Sequence, residues 1–187
     1  NEKNQSKFEN YGLTFDGSEY INTDLSININ SFSVSCWFKG DNLHTGTQKR
    51  LFDFADSTRS TNKFPILFTG SSAYATIGSG KIAVLDYSGS VGSISADWPT
   101  DRNGEWNHIV LLVNNTSVEL YLNGSSLVSG TITRDTSYQD MTKFVIGAAA
   151  NEIQYYFNGS ISDATIFDYT LSESQISSLY NSGSPIN

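Results

Sequence analysis

Cysteine is almost missing from this chain. Cys36 stands alone among 187 residues, so no internal disulfide can form, and its place in the apolar run Phe32 to Phe38 reads as a small buried hydrophobe. A single cysteine does not decide the compartment. Histidine is as scarce. One Cys with His44 and His108 far apart in sequence makes no zinc ligand set. Long apolar runs are absent too. The longest, Ile109 to Val113, has strand length, against roughly 20 residues for a spanning helix, so direct membrane insertion is not expected. No signal peptide is visible, and a start at Asn1 suggests a removed segment or a place inside a longer protein. Basic residues number 11 against 19 acidic, a formal net charge of −8. The only adjacent basic pair, Lys49-Arg50, runs straight into an apolar strand. A phosphate backbone needs a basic stripe to displace its counterions, so nucleic acid is excluded as a partner and anionic membranes are disfavoured. Neutral glycans or a divalent cation fit the acidity, as does solubility alone.

What the chain does have is turn residues and alternation. Three prolines accompany fifteen glycines and many Ser, Thr and Asn residues, the composition of short strands joined by turns. From Gly104 to Gly124 the sequence reads GEWNHIVLLVNNTSVELYLNG. Ile109, Leu111 and Val113 share one face, Val118, Leu120 and Leu122 another, and an Asn-rich turn lies between. This pattern predicts an antiparallel hairpin. Phe32, Val34, Cys36 and Phe38 alternate with Ser33, Ser35, Trp37 and Lys39 as a half-buried strand. Further strands are expected at Leu13–Phe15, Tyr20-Ile21, Leu51–Phe54, Phe64–Phe68, Ala73–Ile77, Lys81–Tyr87, Val91–Ser95, Leu127–Thr133, Lys143–Ile146 and Tyr155–Phe167. Their spacing implies an all-β sandwich of two antiparallel sheets. One short C-terminal helix is expected from Ser172 to about Tyr180, where Ser172 and Gln175 have capping-box spacing and Leu171 and Ile176 form a hydrophobic staple. Residues 1–7 read as a linker and 8–187 as a single domain.

Four blocks carry a resemblance. The hairpin, GLTFDGSEYI (Gly12 to Ile21), FSVSCWFKG (Phe32 to Gly40) and FNGSISDATIFDYTLSESQISSLYNSG (Phe157 to Gly183) occur in the order found in laminin-G-like, concanavalin A-like jelly-roll domains. The chain resembles that family over Tyr11 to Gly183, and its ending is similar to modules of bacterial surface and phage structural proteins. The resemblance implies a jelly roll and leaves chemistry open, since lectins, carbohydrate-binding modules, adhesion domains and glycoside hydrolases share the fold.

Retaining glycosidases hold two carboxyl groups about 5–5.5 Å apart, which the jelly-roll hydrolases achieve with alternate acidic residues on one strand. The glutamates, at positions 2, 9, 19, 105, 119, 152 and 173, are scattered, so no catalytic residues are assigned. His108 is expected to be structural. The resemblance implies a structural calcium near Asp163, Gly17 and Asp16, where carboxylate and main-chain oxygens suit a hard cation. Asp53 and Asp56 form a second acidic group. Glycan binding needs exposed aromatic rings beside polar groups. Trp98, in the loop Ala96 to Gly104, is the foremost candidate. Trp37 points away from its strand's apolar face, into a groove or beneath a crossing segment. His44, Asp56, Arg59, Tyr138 and Tyr155 complete the candidate rim, with Tyr74, Tyr87 and Tyr156 weaker, and Trp106 is expected in the core. The expected function is a noncatalytic module binding glycans or a cell surface within a larger extracellular, cell-surface or virion protein. The alternatives are a phage tail or capsid-decoration domain contacting other protein subunits, and a hydrolase or lyase with an unfamiliar site.

Overall fold

The computed structural model describes residues 12–25, 30–55, 62–70, 77–88, 90–133, 141–150 and 154–183. The expected linker at 1–7 lies outside them. So does the expected strand Ala73–Ile77, apart from Ile77, which packs on Ala83 and Leu85.

The strands are β1 (Leu13–Asp16), β2 (Ile21–Asp24), β3 (Ser31–Lys39), β4 (Lys49–Ala55), β5 (Asn62–Phe68), β6 (Lys81–Ser88), β7 (Ser90–Asp97), β8 (Asn107–Asn114), β9 (Ser117–Leu122), β10 (Ser125–Thr131), β11 (Lys143–Ile146) and β12 (Asn158–Phe167). Helix α1 spans Glu173–Tyr180. The strands form two six-stranded sheets, β1-β12-β3-β8-β9-β10 and β2-β11-β4-β5-β6-β7, with every neighbouring pair antiparallel. Consecutive strands β1 and β2 are edge strands of different sheets, so the turn between them crosses the open side of the sandwich.

Period-two alternation builds the core. Phe32, Val34, Cys36 and Phe38 of β3 and Ile109, Leu111 and Val113 of β8 face Phe52 and Phe54 of β4 and Ile82 and Val84 of β6, all fully buried. Burying each such side chain is worth about 1.5–3 kcal/mol. Burial, then the nearby Asp163 charge, pushes the Cys36 thiol well above its ordinary range, as expected for an inert core cysteine.

The predicted hairpin is present, with Ile109 opposite Leu122 and Val113 opposite Val118. The helix is present too. Ser172 accepts from the Gln175 N–H while the Gln175 side chain accepts from the Ser172 N–H, and Leu171 and Ile176 are buried together. One expected strand is shorter than its sequence suggests. Tyr155 to Phe157 are loop residues, and β12 begins at Asn158. Tyr155 takes a left-handed conformation (φ 57°), its carbonyl accepts the Arg50 N–H at 2.9 Å, and the Phe157 N–H donates to the Gly147 carbonyl at 2.8 Å. These bonds hold the segment against β4 and β11 instead of extending it in the other sheet.

Candidate functional site

Where the chain crosses from β1 to β2 it forms a shelf. Asp16 starts the turn, its Oδ1 accepting from the Ser18 N–H at 2.9 Å and hydroxyl at 2.7 Å. Those bonds, the hydroxyl first, hold its carboxyl below the usual range. Tyr20 then stands 42% exposed and Leu13 59% exposed. The Tyr20 ring lies 6.5 Å from that of Tyr156, tilted by 48°. A groove of about 450 Å³ runs alongside, lined by Leu13 to Phe15 and Ser18 to Ile21. It combines apolar rings, two hydroxyls and the Glu19 carboxylate. Its floor is stiff, because Phe15 packs edge-on to Phe157 at 6.4 Å. Gly147 has φ +85°, and a Cβ there would meet the Phe15 ring at 2.8 Å. Only glycine lets the chain just after β11 approach this closely.

A buried ion pair supports that segment. Arg50 and Asp53, 1% and 0% exposed, meet at 3.0 Å on the outer side of β4. The Ala150 N–H donates to the same Asp53 oxygen at 2.9 Å, and the guanidinium lies 5.8 Å from the Tyr155 ring centre. With the Arg50 N–H donating to the Tyr155 carbonyl, three links beyond the ion pair tie β4 to Ala150 and to Tyr155, the neighbour of Tyr156. Burial raises the Asp53 carboxyl to about 7, against the opposing pull of Arg50 and of the Ala150 and Phe54 amides. Among the described residues its second oxygen has no partner at full hydrogen-bond geometry. Unlike a paired surface carboxylate, this group is balanced between its charged and neutral forms near neutral pH.

The sequence-predicted residues do not gather in one place. Tyr155 belongs to the buried support just described. Asp56, Arg59, Tyr138 and the weaker candidate Tyr74 lie outside the described residues. Trp98 is a correction. It is 3% exposed, packed on Phe38 at 5.7 Å and Phe68 at 5.1 Å, because its loop folds over the end of the core. Its indole N–H donates to Asn103 Oδ1 at 3.1 Å, and the Asn103 amide donates to His44 Nδ1 at 3.3 Å. The loops Asp41 to Gln48 and Ala96 to Gly104 thus meet in a bonded corner with the tryptophan inside. Lys49 closes the first loop by donating to the Asn42 and Thr45 carbonyls at 3.1 and 2.7 Å.

Trp37 lines no groove. It is 3% exposed, stacked on Tyr180 of α1 at 5.7 Å and beside His108 at 5.1 Å. His108 Nε2 lies 2.8 Å from the Ser35 hydroxyl, and burial lowers its pKa to about 4. This Ser–His contact is sealed under the helix, so His108 is structural. Trp106 is half-buried at the entrance to β8, where the sequence placed it in the core. Beside α1, a smaller notch of about 310 Å³ is lined by Phe167, Tyr169, Leu171, Leu179 and polar residues of the helix.

The proposed calcium ligands do not converge. Asp16 is opposite Asn158 in the β1–β12 ladder, while Asp163 lies five residues further along β12. At about 3.3 Å per residue that is a separation of roughly 15 Å. Asp163 sits exposed in a bulge of β12, with φ +53°. Asp16 and Asp163 therefore stand apart along β12. Among the described residues no group of three or more His, Cys, Asp or Glu side chains converges, and no helix is long and apolar enough to cross a membrane.

Sequence reasoning missed the exposure of Tyr20 and Leu13: Leu13 lies in β1 as expected, and Tyr20 sits just before β2 instead of within a strand. The available signal was Tyr20's position straight after the Asp16-Gly17 turn, where alternation has not yet begun. Arg50 was read only as one of two adjacent bases, and its partner three residues on in the same strand is the cue to burial.

Solved structures share this architecture. Domain 4 of AbnA, a GH43 extracellular arabinanase from Geobacillus stearothermophilus in complex with arabinotriose, superposes with a TM-score of 0.68 at 24% identity, over 90% of this chain and 76% of that one. The Ruminococcus gnavus IT-sialidase CBM40 bound to alpha2,3 sialyllactose gives 0.65 at 13% identity, over 91% and 96%. The binding domain of botulinum neurotoxin DC, in complex with rat synaptotagmin II, gives 0.66 at 17% identity over 92% of this chain, which spans only 42% of that one. No curated protein matches the sequence. The family model described as the concanavalin A-like lectin/glucanases superfamily matches residues 15–177, nearly the whole strand framework from β1 into α1. The chain belongs to the concanavalin A-like lectin/glucanases superfamily.

Proposed function

We propose that this domain is a noncatalytic carbohydrate-binding module, and that the shelf between β1 and β2 holds the sugar. The observation that carries the reading is the Tyr20–Tyr156 pair beside an open groove, with ring centres 6.5 Å apart. Sugar rings present apolar C–H faces that bury against aromatic rings, while their hydroxyls need donors and acceptors such as Ser18, Thr14 and Glu19. The groove volume lies in the lower part of the usual ligand-site range of about 300–1,000 Å³, which suits a short oligosaccharide segment. The arabinanase domain with arabinotriose and the sialidase CBM40 with sialyllactose are fold relatives with bound sugars, and they support the class of ligand but not its identity. A module of this kind works by holding a larger extracellular or virion protein at a polysaccharide or cell surface.

The test is affinity electrophoresis and calorimetry over a panel of soluble polysaccharides, with Tyr20→Ala as the comparison. Aromatic contacts contribute about 0.5–1.5 kcal/mol beyond area burial, so the expected loss is up to about tenfold at unchanged melting temperature. Retention of full affinity by Tyr20→Ala moves the site away from the shelf. Failure to retain any glycan at high protein concentration removes the reading.

A further inference from the structure

We infer that the shelf selects uncharged glycans and rejects acidic ones, an inference that rests on the reading of the shelf as a sugar site. The argument is the charge lining the groove. Among its lining residues the one ionic side chain is Glu19, and the exposed Asp16 carboxylate borders the same turn. Among the described residues no lysine or arginine lines it. Of the basic residues on the nearby strands β3, β4 and β11, Lys39 lies across β12 from Thr14, Lys49 donates to the Asn42 and Thr45 carbonyls, and two are paired with carboxylates. Arg50 is buried and turned onto Asp53 at 3.0 Å, and Lys143 pairs with Asp24 at the far end of β2. A uronate or sialate carboxylate entering here would lose water and meet no cation, with Glu19 as a like-charged neighbour. Leaving a charged group without a partner is the dominant cost, and the net charge of −8 adds a long-range repulsion that salt screens. A neutral sugar meets neither penalty. It stacks on Tyr20 and Tyr156 and can donate hydroxyl hydrogen bonds to Glu19, which an anionic group cannot do.

The experiment is calorimetry of the wild-type protein against neutral oligosaccharides (arabino-, xylo-, gluco- and galacto-series) and acidic ones (sialyllactose, oligogalacturonate), at low and moderate salt. Glu19→Lys is run in parallel. The expected result is binding of at least one neutral series, at least about fivefold tighter than any acidic sugar, the cost of an unpaired polar group. Glu19→Lys should narrow that gap by raising acidic affinity. Wild-type binding of an acidic sugar as tightly as the best neutral one overturns the inference while leaving the shelf a glycan site. A gap that Glu19→Lys leaves untouched, with the protein still folded by circular dichroism, overturns the charge argument. Binding of no sugar in either class removes the underlying reading itself, a result separable from the other two.

Discussion

The outer faces of the two sheets carry similar side chains and end in opposite states. On the β3–β8 face, Trp37, His108 and Ser35 lie beneath α1, with Tyr180 stacked on top. Ser33 completes the seal, its hydroxyl donating to the Tyr169 carbonyl at 2.8 Å and accepting the Leu171 N–H at 2.9 Å. Gly124, at the hairpin end, has φ +79°, and a Cβ there would meet the Tyr180 ring at 2.9 Å, so the helix closes flush on the turn. On the β4–β11 face, a loop with an ion pair beneath it covers the sheet and leaves Tyr156 beside the exposed Tyr20. Aromatic and polar residues on an outer face therefore do not mark a site by themselves. What distinguishes the two faces is which rings the covering element leaves open: Trp37 is sealed under the helix, with Tyr169 exposed only beyond the end of β12, whereas Tyr20 stands exposed as one of a pair with Tyr156.

Trp37→Ala tests this contrast with the largest effect. Removing a buried tryptophan costs about 3–5 kcal/mol, read as a lowered urea midpoint. Sugar affinity per folded molecule is expected to stay at the wild-type value. A loss of affinity in the folded fraction would make the helix-covered face part of the site.

The two faces also hold titratable groups shifted in opposite directions, which sharpens the comparison. Asp53 is raised from 3.8 to about 7 in the folded state. Between those values the folded protein holds a proton that the unfolded chain has released, so this group's contribution is full below about pH 4 and is lost as pH rises through about 7. His108 is lowered from 6.5 to about 4. There the unfolded chain holds the extra proton, so its contribution is full above about 6.5 and is lost as pH falls through about 4. Each slope is at most about 1.4 kcal/mol per pH unit, and between pH 4 and 6.5 they oppose one another. Chemical denaturation across that range should expose them singly. Relative to wild type, Asp53→Asn stability should rise more steeply with pH, and His108→Gln stability should fall with it. Parallel profiles for all three proteins would mean that neither group is shifted by its burial.

Legibility in the sequence followed the range of the interactions. The hairpin, the β3 alternation and the capped helix depend on neighbours a few residues apart, and they appear where the pattern put them. Ser172 and Gln175 needed no tertiary information. The site depends on which loop lands on which, and local sequence does not encode that. Trp98 reads as exposed because Pro99 and polar residues surround it, yet Phe38 and Phe68, distant in sequence, roof it over. Tyr20 reads as a strand residue until the crossing between sheets is known. Asp163 and Gly17 fit a motif, but the ladder register separates them.

The smallest predicted effect decides between the corner at Trp98 and the shelf. Asn103 accepts from the Trp98 indole and donates to His44, joining the two loops from which the sequence would have built a binding rim. Asn103→Ala removes both bonds. The expected cost is about 1 kcal/mol, since typical net hydrogen-bond contributions are roughly 0.5–1.5 kcal/mol each and His44 can turn to water. If the shelf alone holds the sugar, affinity measured on the same panel stays within about twofold, because neither bond is made to Tyr20 or Tyr156. A fall of about tenfold or more would place the sugar over the corner after all. The buried Trp98 would then be the support of a rim site, and the open Tyr20–Tyr156 pair would be a surface feature without a ligand.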